Sequence, residues 1–300
     1  MSPPTRSGFI ALAGRPNVGK STLANAVVGA KVAIVSDKPQ TTRRAIRGVA
    51  NGPGWQLVLV DLPGVQRPRD ALTERMQRRV EHELEDADAC LFVINAEEGV
   101  GPGDRFIAGL LAEARVPVVI AVNKIDRTNR PGTASALQAA ADLGVAEEVF
   151  PVSAATGSGV GPLVDYLVSL LPEGPFYFEP EQRSDQTQGV VLAELVREQI
   201  LARTREEVPH SVEVAIESVE HDDTSRATGL VRIEAVILAE TESQKRILIG
   251  AGGQMVKSIG IASRRAIERE LSQRVHLDLK VRVRRHWRAD ERMLDRLGIE

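Results

Sequence analysis

The chain has 300 residues, 43% of them hydrophobic and 26% charged, with a formal net charge of −3, the profile of an ordinary globular protein with room for two domains. One cysteine, Cys90, excludes internal disulfides and a multi-cysteine zinc site. The first seven residues are polar and no run approaches about 18 uninterrupted apolar residues, so neither a signal peptide nor a spanning helix is expected, and the cytoplasm is the expected compartment.

Aromatic residues make up only 3%, so the cores must be built from Val, Ile, Leu and Ala. In chain order, apolar runs at 9–12, 57–60, 91–94 and 118–122 predict fully buried strands, and 149–152 a weaker one. Cys90 sits beside the third of these runs and reads as a buried small hydrophobe. Helices fit between the strands at about 20–28, 71–86, 104–114, 134–143 and 160–171. Near-continuous apolar strands alternating with helices predict an α/β domain over residues 1–172, a mostly parallel sheet with helices on both faces. Pro172, Gly174, Pro175, Pro180 and the polar residues after them predict a linker over 173–190.

From 191 to 300 the rhythm changes. A helix at about 190–204 precedes a strand with Val212, Val214 and Ile216 on one face, and a second strand spans 229–238. A short helix at 242–249, the loop Gly250-Ala251-Gly252-Gly253 and a longer helix at 254–273 follow. The last strand, 276–284, alternates Leu277, Leu279, Val281 and Val283 with Asp278, Lys280, Arg282 and Arg284, and a short charged helix closes the chain at about 289–297. The order α-β-β-α-α-β predicts a small α+β domain with three strands. Charge is uneven: residues 245–288 hold twelve Lys/Arg against three acids, a net +9, whereas 181–244 carry six basic and fourteen acidic residues. That asymmetry predicts one face meant for a polyanion. A lone GxxG loop is common between helices, and each cation taken singly reads as part of a solvated face.

The first domain carries a phosphate-binding signature. Gly14-Arg15-Pro16-Asn17-Val18-Gly19-Lys20-Ser21, continuing into Thr22, fits G-x-x-x-x-G-K-[ST] between a predicted strand and helix. Glycines let backbone N–H groups curl around phosphates, Lys20 reaches the β/γ-phosphates, and the Ser21 hydroxyl suits Mg²⁺. That loop leaves ATP and GTP open. Asn123-Lys124-Ile125-Asp126 favours GTP, because the Asp126 carboxylate can accept both N–H donors of guanine and adenine has neither. The bland alternative for this motif is a capped surface turn. Asp61-Leu62-Pro63-Gly64 follows an apolar strand, with Asp61 on the Mg²⁺ side and the Gly64 N–H towards the γ-phosphate. Ser153-Ala154-Ala155 suits a second base loop, and Lys38 to Arg43 is a turn-prone loop with Thr41 and Thr42 as candidate metal ligands. Val65 stands where many GTPases place a water-orienting glutamine and cannot serve as one.

Taken together, GRPNVGKS, TTR, DLPG, NKID and SAA resemble the translation-factor-related GTPases and most closely the Era family, with Leu62 a departure from that family's usual DTPG. The resemblance implies that Thr42 is the metal-side threonine, and that Lys20, Asn17, Thr42 and Gly64 carry catalysis. It also implies that Asn17 helps to hold K⁺ where other GTPases use an arginine, in a slow GTPase working with GTP, GDP and Mg²⁺. The second half resembles a type II KH domain, which implies single-stranded RNA held by Gly250, Ala251, Gly252, Gly253, Lys257, Arg264, Arg282 and Arg284. The resemblance further implies a monomer that binds 16S rRNA near its 3′ end, assists small-subunit assembly, and makes peripheral contact with the inner membrane. Trp287 has two readings, a base-stacking surface or a residue packed against the first domain. Two other functions are open: a switch acting on a membrane or protein through the basic domain, and, were NKID accidental, a P-loop ATPase or small-molecule kinase.

Overall fold

The computed structural model describes residues 5–38, 40–65, 70–114, 116–205, 208–222 and 229–299. They form two compact units, one of residues 1–69 with 73–185 and one of 70–72 with 186–300.

In the first unit, β1 (Arg6–Ala13) leads into α1 (Lys20–Val28), and β2 (Ile46–Gly52) pairs antiparallel with β3 (Trp55–Asp61). There follow α2 (Ala71–Asp86), β4 (Ala89–Asn95), α3 (Pro102–Glu113), β5 (Val118–Asn123), α4 (Arg130–Ala141), β6 (Glu148–Pro151) and α5 (Val160–Leu170). The sheet order is β2-β3-β1-β4-β5-β6, and every pairing except β2–β3 is parallel. Side chains alternate between the faces of a strand, so each strand feeds two cores. Ile10, Leu12, Leu59 and Val93 pack with Leu23 of α1 and Leu163 and Leu167 of α5. Ala11, Val60, Phe92 and Ile120 pack with Val80 of α2, Ile107 and Leu111 of α3, and Ala140 of α4 on the other side. Cys90 is completely buried in this second core.

Strand β2 has no counterpart among the predicted elements. Its sequence IRGVANG holds two glycines and no sustained apolar run, and it exists because β3 offers a pairing edge. Its outer edge is partly occupied. The Val49 N–H donates to the Arg183 carbonyl at 2.9 Å, and Gly48 and Ser184 form an antiparallel bridge. Gln56 reaches the same tail, accepting from the N–H groups of Tyr177 and Phe178 and donating to the Phe178 carbonyl. Residues 173–185, read from the sequence as the first part of a linker, therefore lie against the first unit.

The second unit contains α6 (Gln188–Leu201), the single turn α7 (Val208–Ser211), β7 (Glu213–Asp222) and β8 (Leu230–Ala239). After them come α8 (Glu242–Ile249), a 3-10 turn (Ala251–Gly253), α9 (Gln254–Leu271), β9 (Arg274–Val283) and α10 (Glu291–Arg296). The sheet order is β7-β8-β9, antiparallel then parallel. Leu192, Val196, Ile233, Ile237, Ile259 and Ile267 share one core, against which Leu277, Leu279 and Val281 of β9 pack. Thr241 starts α8 by accepting from the Gln244 N–H while Gln244 bonds back, a reciprocal cap. Trp287 is fully buried and its indole N–H donates to the Ser211 carbonyl at 3.1 Å, so it offers no base-stacking surface and its hydrogen bond lies within its own unit.

Candidate nucleotide site and nucleic-acid interface

The site of the first unit is built by loops at the carboxyl ends of β1, β3 and β5. Between β1 and α1 the chain passes through left-handed φ at Asn17 (65°) and Gly19 (100°) before the helix begins at Lys20. A Cβ at Gly19 would collide with the Asn123 side-chain amide as well as strain the backbone, so glycine is required there. Lys20 is buried, its ammonium donating to the carbonyls of Gly14 at 3.0 Å and Arg15 at 3.1 Å. Burial pushes its pKa down to about 8 against the opposing pull of Asp61.

Three predicted metal-side residues converge beside it. Ser21 Oγ donates to Asp61 Oδ2 at 2.6 Å, Thr42 Oγ1 lies 2.9 Å from Ser21 Oγ, and Thr42 Oγ1 donates to the same carboxylate oxygen at 3.3 Å. Asp61 is fully buried, and its Oδ1 has no hydrogen-bond partner among the described residues. Two hydroxyls and one carboxylate with a spare buried oxygen are a hard-oxygen donor set that fits Mg²⁺. Thr41 instead donates to the Lys38 carbonyl at 2.6 Å, within its own loop, so the geometry separates the two threonines.

The second half of the cleft is stitched to the first. Asn123 donates to the Val18 carbonyl at 2.9 Å and accepts from the Ala154 N–H at 3.0 Å, joining phosphate loop, base loop and the 153–155 segment through one amide. Lys124, itself at φ 66°, reaches back to the Asn17 carbonyl at 2.7 Å. Ser153 Oγ donates to Asp126 Oδ1 at 2.6 Å, fixing the orientation of that carboxylate. Pro16, Asn17, Lys20, Ser21, Thr42 and Gly64 line one open cleft together with Lys124.

Not every predicted residue behaves as expected. The Arg15 side chain forms ion pairs with Asp104 at 2.8 Å and Glu98 at 3.0 Å, so only its backbone belongs to the phosphate loop. Val18, Leu62 and Ala154 are buried in the scaffold. Asp37 was missed: its carbonyl accepts from Asn17 Nδ2 at 2.8 Å and its residue lines the cleft. A backbone carbonyl carries no residue-type signal, and nothing in the sequence distinguishes it. Val65 is 5% exposed, its side chain in the core and its N–H donating to the Gly14 carbonyl at 3.3 Å.

In the second unit the structure divides the expected RNA set. Ala251 and Gly252 of the GxxG loop, with Lys257 and Arg264 on α9, are exposed on the helical side. Arg282 and Arg284 alternate with the core-facing residues of β9 and occupy the opposite face of the sheet. There Arg282 pairs with Glu217 at 2.5 Å, Arg284 with Asp290 at 3.0 Å, and the neighbouring Lys280 with Asp278 at 3.0 Å. The sequence pattern grouped these cations by proximity in the chain, whereas the pleat sends them away from the loop and supplies each with a carboxylate.

Comparison with known proteins agrees with this arrangement. A family described as 50S ribosome-binding GTPase matches residues 9–124, and the KH domain family matches 207–288. A GTPase Era of Carboxydothermus hydrogenoformans is 44% identical over 294 residues, covering 98% of this chain and 97% of that protein. The GTPase Era of Lactobacillus helveticus is 43% identical over 295 residues, with 98% and 96% covered. A crystal structure of Era in complex with MgGDPNP and nucleotides 1506–1542 of 16S ribosomal RNA superposes with a TM-score of 0.93 at 34% identity, covering 98% of this chain and 99% of that one. An Aquifex aeolicus Era variant bound to GDP·AlF4⁻ gives 0.92 at 34% identity, with the same coverage.

Proposed function

The chain belongs to the Era family of GTPases, and from that premise we propose that its GTP-hydrolysing first unit is a switch governing an RNA grip in the second. The observation that carries the nucleotide assignment is the double tie of Asn123, which holds the base loop at a fixed distance from the phosphate loop. Gly14 to Thr22 would cradle the phosphates, Lys20 would neutralise the β- and γ-oxygens, and Asp126 would accept the guanine N–H pair beside Ser153 and Ala154. Ser21, Thr42 and Asp61 would hold Mg²⁺, which supplies charge neutralisation across the β- and γ-phosphates. The Gly64 N–H would meet the γ-phosphate, while Leu62 and Pro63 shape the turn that presents it. Because Val65 cannot orient water, intrinsic turnover is slow and depends on charge placed by other groups. Asn17, held by Lys124 through its carbonyl and reaching Asp37 through its amide, stands where it would complete a K⁺ site between the phosphate loop and the 37–42 segment.

For the second unit we take the RNA to be the 3′ region of 16S rRNA, as in the Era complex, and the role to be small-subunit assembly in the cytoplasm, by a monomer. RNA is preferred to a membrane surface because α10 is only six residues, ERMLDR, with four charges and no apolar stripe to bury in lipid. The testing experiment is displacement of fluorescent GDP by GTP, XTP or ATP from the wild type and Asp126→Asn, with and without a 16S 3′ fragment. The expected result is displacement by GTP alone, a shift to XTP in the variant, and a change in affinity or turnover on adding RNA. Displacement by ATP overturns the nucleotide assignment. Intact guanine binding with no RNA binding overturns the second half.

A further inference from the structure

We propose that the groove between α6 and α9 is a second RNA-binding surface, which holds the sugar–phosphate backbone of nucleotides flanking those at the GxxG loop. This rests on the RNA reading above and extends it.

The open groove begins at Gln254, directly after the loop, and has a volume of about 510 Å³. Its charged lining is entirely basic: Arg203, just past the end of α6, and Lys257, Arg265 and Arg269 from α9. Lys257, Arg265 and Arg269 are exposed and form no ion pair among the described residues. Arg203 is only hydrogen-bonded, to Ser258 at 3.2 Å and to Gln199. On the far side of the same unit, Lys280, Arg282 and Arg284 each have a carboxylate partner. Three cations of the sheet face are thus paired with carboxylates, whereas those of the groove have none among the described residues, and an unneutralised line of cations is where a polyanion gains most.

Position and chemistry define the occupant. Lys257 and Arg269 lie twelve residues apart on one helix, about 18 Å at 1.5 Å per residue, so the cations form a line rather than a point. Gly260 of α9 faces Leu279 of β9, so the helix turns a different face to the sheet than to this groove. The lining holds no aromatic ring, the usual stacking platform for unpaired bases, and its uncharged part is Ile261, Ala262, Ser258 and two glutamines. Backbone phosphates are what such a surface can bind, without regard to sequence. A GxxG loop clamps about four nucleotides, so the groove lengthens the footprint along the strand.

The test uses the full chain and two single-stranded RNAs sharing one 3′ segment of 16S rRNA, about five nucleotides long and the same segment extended with uridines to about twelve. Binding is followed by fluorescence anisotropy across a salt series. The wild type is expected to bind the longer RNA more tightly and with a steeper salt slope. Arg265→Ala/Arg269→Ala is expected to lose about tenfold on the longer RNA, to lower its salt slope by about 1.4, and to leave the shorter RNA unchanged. Arg232→Ala, an exposed cation of the open sheet face, controls for net charge and should leave both affinities within about twofold. Equal losses on both RNAs, or no loss on the longer one, overturn the groove assignment while the loop assignment stands. A wild type that binds neither RNA overturns the RNA reading itself. Unchanged RNA binding with lost sedimentation on phosphatidylglycerol vesicles assigns the groove to a membrane and overturns the proposal. Thermal melting of the double variant, expected to match the wild type, separates these outcomes from misfolding.

Discussion

Ser153 donates a 2.6 Å hydrogen bond to Asp126 across 27 residues, so the carboxylate that would read the base is aimed by a hydroxyl from the next strand's loop. The same hydroxyl accepts from the Thr156 N–H, which holds it in place. A hydrogen bond to a charged group contributes about 1.5 kcal/mol at a half-exposed site. Ser153→Ala is therefore expected to weaken GDP binding by about tenfold without changing the preference for GTP over XTP. Stopped-flow release of fluorescent GDP would measure it; an unchanged off-rate would mean that Asp126 is aimed by its own loop.

Asn17 gives a second prediction. Its amide donates to the Asp37 carbonyl, which fixes the side chain at the position of the proposed K⁺ site. Turnover in KCl is expected to exceed that in NaCl by about tenfold, and Asn17→Ala should erase the difference while GDP affinity stays within a few-fold. Equal rates in the two salts for the wild type would remove K⁺ from the mechanism.

Gly64 packs directly on the phosphate loop. A Cβ there would lie 2.8 Å from both Cγ and the backbone N of Pro16, so Gly64→Ala must displace one loop or the other. Since the Gly64 N–H is assigned to the γ-phosphate and not to GDP, GDP affinity should hold within about threefold while kcat falls by about 100-fold. Parallel losses in both would place Gly64 in the scaffold instead.

Cys90 offers a check on the core that is independent of nucleotide. Burial pushes its thiol pKa up to about 12 from 9.0. The native thiol should therefore stay unreactive towards a disulfide reagent at pH 8 and titrate fully only on unfolding. A group whose folded pKa is raised keeps its proton in the native state while the unfolded chain loses it, so its contribution to stability falls as pH rises above 9. At pH 10 the loss from this one group is on the order of 1 kcal/mol. Urea melts of the wild type and Cys90→Ala at pH 8 and 10 would register a smaller pH dependence in the variant.

Much of the first unit was legible in the sequence because buried parallel strands must be apolar on both faces, and 9–12, 57–60, 91–94 and 118–122 are. The motifs were equally legible, since Lys20, Ser21, Asp61 and Asp126 are side chains whose type states their chemistry. Strand β2 and residues 173–185 were not, because their placement rests on backbone pairing with β3 and with each other's edges, which residue types do not encode. The contact of Asn17 with the Asp37 carbonyl was hidden for the same reason.

What the sequence by itself determined was the inventory: a phosphate loop, a base-reading tetrapeptide, a GxxG loop, and an excess of cations in the last quarter of the chain. Only the tertiary structure decided how that inventory is shared out. Thr42 rather than Thr41 reaches Asp61, and Arg15 turns away to Asp104. Lys280, Arg282 and Arg284 face carboxylates while Lys257, Arg265 and Arg269 of α9 form no ion pair among the described residues. The physical reason is that side-chain direction follows helix and strand geometry, and partners such as Glu217 and Asp290 are brought close only by folding.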